Sequence, residues 1–445
     1  MTEQGFLLDC AALRQFAEDA LLHARKQGAT AAEAYAHEGF GLSVTARLRD
    51  VESIEYNRGK DLSISVYLGQ RLGHASTSDF SHRAIKETVE SALSIARFTK
   101  EDDCAGLPEE TLLAKEIPDL DLYHPWRLGT KEAIDLAIRC ENAALNLDAR
   151  IKNSEGASVS THETQFVAAN SLGFMGGYPT SRHSISCSVI AEQDKAMQRD
   201  YWYESNRDAA RIIMPESIGE KAARRAASRL GAKKIQTGVF PVIFEAPVAA
   251  SLLGHFTRAA SGGALYRKAS FLLDQLGQTV FPAFFNLHER PHLPGELSSA
   301  PFDREGVTTR DRDVVKDGVL EGYFLSVYSG RKLGLPTTAN AGGSHNLLLP
   351  AGEHDLSGLM LLMGRGLLVT ELLGYGVNIV TGDYSRGAAG FWIENGEIAH
   401  PVEEITIAGN LSTMLRNIVA IGSDIWISGS KQTGSIMVEG MTIAA

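Results

Sequence analysis

The chain has 445 residues, long enough for two or three domains that each bury a core. It is 44% hydrophobic and 22% charged, with 43 Gly and no low-complexity tract, the composition of an ordinary soluble protein. A net charge of −11 opposes phosphate backbones, so direct nucleic-acid binding is not expected.

The first residues carry no basic region and no long apolar run. Leu7-Leu8-Asp9-Cys10 has the outline of a lipoprotein cleavage site without the hydrophobic stretch that must precede one. Cys10, Cys104, Cys140 and Cys187 are widely spaced and form no C-x-x-C, which argues against a disulfide framework or a cysteine zinc knuckle. The most apolar segment, 356–380, is broken by Arg365 and Glu371 and does not make a membrane span. These features predict a cytoplasmic protein.

In chain order, residues 10–27 predict an amphipathic helix capped by Asp9 and ended by Gly28. Strands follow, with period-two alternation clearest over Leu62–Leu68. A helix over 81–98 places Ile85, Val89, Ala92 and Ile95 on one face. An acidic connector spans 101–125. The order then recurs: a helix over 131–147, strands around 165–170 and 184–192, and a helix over 216–230. This predicts an α+β fold in which helix–β meander–helix units are a possible duplication. From residue 238 the texture turns glycine-rich, predicting a mixed, largely antiparallel β-rich domain. The expected organisation is therefore 1–100, the connector 101–125, 126–236 and 237–445.

Within that last region, Val239–Phe244 predicts a strand that runs into a short helix at Glu245-Ala246-Pro247-Val248-Ala249-Ala250, with Pro247 in the first turn. Phe391–Ile398 predicts a hairpin turning at Asn395-Gly396. A helix is expected over 411–421, with Asn410 as cap, Met414, Leu415, Ile418 and Val419 as core face, and Gly422 as stop. Gly382–Gly390 lacks the Gly-Lys-Ser/Thr ending of a phosphate loop and leads into a strand, not a helix.

His288-Glu289-Arg290-Pro291-His292 spells H-E-x-x-H. That motif holds zinc when both histidines lie one helical turn apart on one face. Pro291 sits between them, and in a helix interior it would cost roughly 3 kcal/mol. Pro294-Gly295 follows at once, so a surface loop with two ordinary histidines is expected.

Thr381–Ala388, Phe391–Gly396, Pro301–Val307, Ile405–Leu411 and 268–276 resemble the TldD/PmbA family, the "modulator of DNA gyrase" proteins, and its PmbA/TldE branch in particular. The resemblance covers nearly all of 238–445 and rests on element order over 1–237. It implies a heteromeric zinc metalloprotease whose catalytic members carry His-Glu-x-x-x-His. Matching their following Leu and Gly to Leu252 and Gly254 puts the ligand histidines at Glu245 and Ala250, and the catalytic Glu at Ala246. Catalytic members also supply a C-terminal Cys, and the matching 427–432 stretch has none.

The resemblance thus implies a chain without catalytic or metal-ligating residues and without a cofactor of its own. Zinc is expected in a TldD-like catalytic subunit, and the substrates are unfolded or short peptides. Asp383, Tyr384, Ser385 and Arg386 are the expected substrate-channel residues, and a homodimer is plausible for the isolated chain. Two alternatives stand beside this reading. One is a self-sufficient metallopeptidase using His288, Glu289 and His292. The other is a protein-binding modulator of DNA gyrase.

Overall fold

A computed structural model describes residues 5–445. The elements of the first half are α1 (Cys10–Lys26), β1 (Ala31–Arg47), β2 (Asp50–Leu68), β3 (Arg71–Thr77), α2 (His82–Phe98), α3 (Thr130–Leu147), β4 (Ile151–Asn170), β5 (Met175–Gly176), β6 (Pro179–Gln193), β7 (Ala196–Asn206) and α4 (Pro215–Ser228). The second half holds β8 (Gly238–Phe244), α5 (Ala246–Ala259), α6 (Gly262–Tyr266), β9 (Leu287–Glu289), β10 (Arg312–Lys316), β11 (Val319–Leu320), α7 (Val327–Leu333), β12 (Leu347–Leu348), α8 (Leu356–Met363), β13 (Gly366–Leu373), β14 (Asp383–Glu394), β15 (Glu397–Asn410), α9 (Leu411–Arg416), β16 (Ile418–Ile421), β17 (Trp426–Ser428), β18 (Lys431–Thr433) and β19 (Ile436–Ala444). The fold is α+β, as the sequence predicts.

The chain divides into two units. One comprises 1–191, 199–226 and 292–309, and the other 192–198, 227–291 and 310–445. In the first unit one antiparallel sheet runs β3-β2-β1-β4-β6-β7, with β5 beside β4. Its first three strands come from one helix–meander–helix set and the rest from the next, and β1 and β4 join the two sets. Even-numbered β1 positions (Ala32, Ala34, Ala36, Val44, Ala46) are buried on the helix-bearing face, as period-two alternation requires. Asp9 caps α1 by accepting from the Ala12 N–H at 2.7 Å, and Gly28 leaves it at φ +93. The opposite face carries an aromatic cluster of Tyr35, Phe166, Tyr178, Phe174 and Phe302.

In the second unit β15-β14-β13-β8-β19-β16 form a sheet in which β15 also pairs with β19, closing a five-stranded ring. A second sheet runs β11-β10-β9-β12-β18-β17. The β14–β15 turn is at Asn395 (φ 54) and Gly396 (φ 79), the left-handed pair that a two-residue hairpin needs. Two expectations are corrected here. The helix from Leu411 ends at Arg416, because Ile418–Ile421 pairs with β19 as a strand, and Val419 points outward while Ile418 is buried. The H-E-x-x-H segment is a surface loop only in its second half, since Leu287–Glu289 is a strand between β10 and β12 and the chain turns from Arg290 to an exposed His292. Among the described residues no helix is long and apolar enough to cross a membrane.

Candidate functional site

The segment where a metal-binding helix is expected begins with β8. Its Val242, Ile243 and Phe244 are fully buried between β13 and β19. The Glu245 N–H still donates to Val369 O, and the Glu245 carbonyl then accepts from Val248 and Ala249, which starts α5. Pro247 sits in the first turn, where its missing N–H is no loss. Glu245 occupies the N-cap without a side-chain capping bond.

The end of α5 is closed from within the protein. The Ala246 N–H donates to Ser435 Oγ at 3.0 Å, and that hydroxyl donates to Asp424 Oδ2 at 2.6 Å. The Asp424 carboxylate also accepts from the Ser435 N–H at 2.9 Å. A negative charge thereby stands near the positive end of the helix through a hydroxyl relay.

The donor set that zinc requires is not supplied here. A zinc site takes imidazole, thiolate or carboxylate from at least three residues. Ala246 and Ala250 offer buried methyl groups, and β17–β18 contribute no cysteine. One turn beyond Ala250, the Lys431 side chain lies along α5. A Cβ placed on Gly254 would meet its Cε at 3.7 Å. The Lys431 ammonium reaches Ser430 Oγ at 3.4 Å, and desolvation lowers its pKa. A half-buried cation along this helix opposes a divalent ion. Among the described residues no group of three or more His, Cys, Asp or Glu is placed to hold a metal.

His288, Glu289 and His292 do not assemble a zinc site either. Glu289, 1% exposed, receives Arg312 Nε at 2.6 Å, Asn340 Nδ2 at 2.8 Å and the His345 N–H at 2.8 Å. A carboxylate so occupied is not poised to polarise a water. His288 Nδ1 pairs with Asp313 Oδ1 at 2.7 Å, and this pair, followed by Arg290, holds the Asp313 carboxyl below its usual range. His292 Nε2 contacts Thr309 Oγ1 at 2.9 Å.

Asp383–Arg386 opens β14, where alternation separates the four side chains. Asp383 is exposed and accepts from Thr381 Oγ1 at 2.6 Å. Ser385 is also exposed, and Arg386 Nε donates to Leu373 O at 3.1 Å. Tyr384, on the face opposite Asp383 and Ser385, is 1% exposed and edge-on to His255 at 5.9 Å between ring centres. Its hydroxyl, His255 Nε2 and Ser251 Oγ are all buried without a hydrogen-bond partner among the described residues. Burial, with Arg386 and Arg258 adding to it, lowers the His255 pKa to about 4. Sequence reading gave His255 no role, because its neighbours Tyr384 and Arg386 lie far along the chain.

Three domain models of one family match the chain: PmbA/TldA metallopeptidase domain 1 over 32–96, the central domain over 123–230 and the C-terminal domain over 237–445. The chain belongs to the PmbA/TldA metallopeptidase family. Among its relatives, a metalloprotease PmbA homolog of Haemophilus influenzae is 49% identical over 433 residues, covering 97% of this chain and 96% of the relative. The metalloprotease PmbA of Escherichia coli O157:H7 is 49% identical over 404 residues, covering 91% and 90%. A crystal structure from Bacteroides thetaiotaomicron, described as a putative modulator of DNA gyrase, superposes with TM-score 0.92 at 30% identity over 97% of this chain and 98% of that one. TldE from Thermococcus kodakarensis shares the fold, with TM-score 0.81 at 19% identity over 97% and 100%. The relatives matched by sequence are named metalloproteases and include a TldD homolog.

Proposed function

We propose that this chain is the non-catalytic, PmbA/TldE-like subunit of a cytoplasmic two-component zinc metallopeptidase, and that a TldD-like partner holds the ion and cleaves peptide bonds. The observation that carries this reading is the chemistry along α5. Methyl groups stand at Ala246 and Ala250, and the ammonium of Lys431 lies along the following turn. The engagement of Glu289 by Arg312, Asn340 and His345 speaks against the alternative motif as a second source of activity.

In this reading the chain completes a channel for unfolded or short peptides. Asp383 and Ser385 contribute polar groups on one side of β14, while Tyr384 and Arg386 face the other. Extended peptides are held largely through backbone hydrogen bonds, which suits substrates without a fixed sequence.

The test is zinc content per chain, by elemental analysis of untagged protein purified without chelators. A value near zero, with peptidase activity appearing only on mixing with a TldD-like chain, is expected. A ratio near one that His288→Ala abolishes would sink the proposal and make this chain a peptidase by itself.

A further inference from the structure

On the face of the first sheet opposite its helices, a cavity of about 300 Å³ opens between β1, β2, β4 and the loop that carries Arg304. That volume lies within the range of small-molecule sites. Strand register builds its floor in rows. Glu33 lies between Ser65 of β2 and Asn170 of β4, and Tyr35 lies between Ser63 and Ala168. Odd-numbered β1 residues face this side because the even-numbered ones are spent on the helices.

The polar groups of this cavity are short of partners. Glu33 is half-buried, has the Ser65 hydroxyl as its hydrogen-bonding neighbour, and makes no ion pair among the described residues. Burial pushes its carboxyl above the ordinary range. The Tyr35 ring is fixed by stacking on Phe166 at 5.3 Å, yet its hydroxyl has no protein partner among the described residues. Asn170 is 5% exposed. Its Oδ1 accepts from the N–H groups of Leu172 and Phe174, while its Nδ2 donates to nothing described. Arg304 is exposed and has neither a carboxylate nor a hydrogen-bond partner among the described residues. Asn170 is the buried member of this set, Glu33 and Tyr35 are half-buried and Arg304 is exposed, so an occupant of the cavity would meet groups of both charges with hydrogen-bonding capacity to spare.

We propose that this cavity binds a zwitterion of the α-amino-acid class, a free amino acid or short peptide, with its ammonium on Glu33 and its carboxylate on Arg304 and Asn170. An ammonium gives Glu33 the counter-charge its burial lacks. A carboxylate gives the guanidinium its best-matched acceptor. The rings of Tyr35 and Phe174 provide an apolar wall for the ligand side chain. A purely anionic ligand would face Glu33 and also Glu305, which lines the cavity beside Arg304, and a purely cationic one would face Arg304. This site stands whether or not the chain is catalytic, since it uses no residue of α5 or β14.

Isothermal titration calorimetry of the full chain alone with L-alanyl-L-phenylalanine tests it, together with the N-acetylated dipeptide, the dipeptide amide and free phenylalanine. The dipeptide or phenylalanine should bind with a dissociation constant at or below about 1 mM, and the tighter of the two identifies the ligand as peptide or amino acid. Blocking either terminus, Glu33→Gln and Arg304→Ala should each weaken binding roughly tenfold or more. Arg304 is exposed, so its variant should melt with the parent protein. Absence of binding by both free ligands overturns the proposal. So does equal binding by the blocked peptides, or full binding by a folded Arg304→Ala.

Discussion

Arg312 stands opposite Glu289 in the β9–β10 register, and its Nε donates to the Glu289 carboxylate at 2.6 Å in a largely desolvated position. The glutamate that sequence alone would nominate as a catalytic base is therefore half of a buried ion pair. Removing one partner of such a pair strands the other charge and typically costs 3–5 kcal/mol, roughly the effect expected of Arg312→Met. Glu289→Gln should also destabilise, by less, because its amide can still accept from Asn340 and His345. Denaturant titration checks both. Unchanged stability in Arg312→Met would contradict the buried-pair account.

Two glycines set how closely helices approach in the first unit. A Cβ on Gly219 would stand 1.9 Å from the Cys140 carbonyl oxygen, and one on Gly73 would stand 2.0 Å from that of Ala92. Both oxygens are backbone, so no side-chain rotation relieves the clash. Gly219→Ala should push α4 from α3 and lower stability by about 1–3 kcal/mol. Gly231→Ala serves as the comparison, since it adds a methyl group to open space and is strained only by its φ of +78. A smaller loss at position 219 than at 231 would argue against this packing.

Features decided within a few residues were legible in the sequence. Asp9 reaches a donor three residues on, and Asn395-Gly396 turns its own hairpin. Features decided at long range were not. The apolar spacing of Met414, Leu415 and Ile418 suits a helix, and only pairing with β19 turns 418–421 into a strand. Glu289 looked like a loop residue because its partners Arg312, Asn340 and His345 are 23, 51 and 56 residues away. The cavity around Glu33 draws on Asn170 and Arg304, each unremarkable where it stands in the chain. Ala246 and Ala250 drew attention only through the family resemblance, since composition gives alanines in a helix no special meaning.

His255 should impose a pH dependence on stability. Burial first, then the charges of Arg386 and Arg258, lowers its pKa from 6.5 to about 4, with the uncharged Tyr384 ring against it. The unfolded chain takes up this proton near 6.5 and the folded chain only near 4. Stability from this group is therefore full above 6.5 and declines as pH falls toward 4. His255→Phe keeps the ring contact with Tyr384 and removes the titration. Melting temperatures at pH 7 and pH 5 should converge in the variant relative to the parent. An unchanged difference would assign the acid sensitivity to other groups.

Lys431 carries a penalty of the same kind on a second cationic group, one that is charged at neutral pH. Desolvation lowers its pKa, so at neutral pH the unfolded chain holds this proton more readily than the folded one. The penalty is present below the ordinary lysine value and shrinks as pH rises toward it. With a serine hydroxyl at 3.4 Å as its hydrogen-bond partner, the ammonium gains little in return. Lys431→Met keeps the stem along α5 and removes the charge, and should raise stability by about 0.5–2 kcal/mol at pH 7. Gly254→Ala should be tolerated, because its Cβ would meet Lys431 Cε at an ordinary 3.7 Å, and alanine favours the helix by roughly 1 kcal/mol. Urea midpoints for both variants decide the matter. If Lys431→Met instead destabilises, the ammonium is engaged by more than Ser430, and the cation along the α5 face has a structural role of its own.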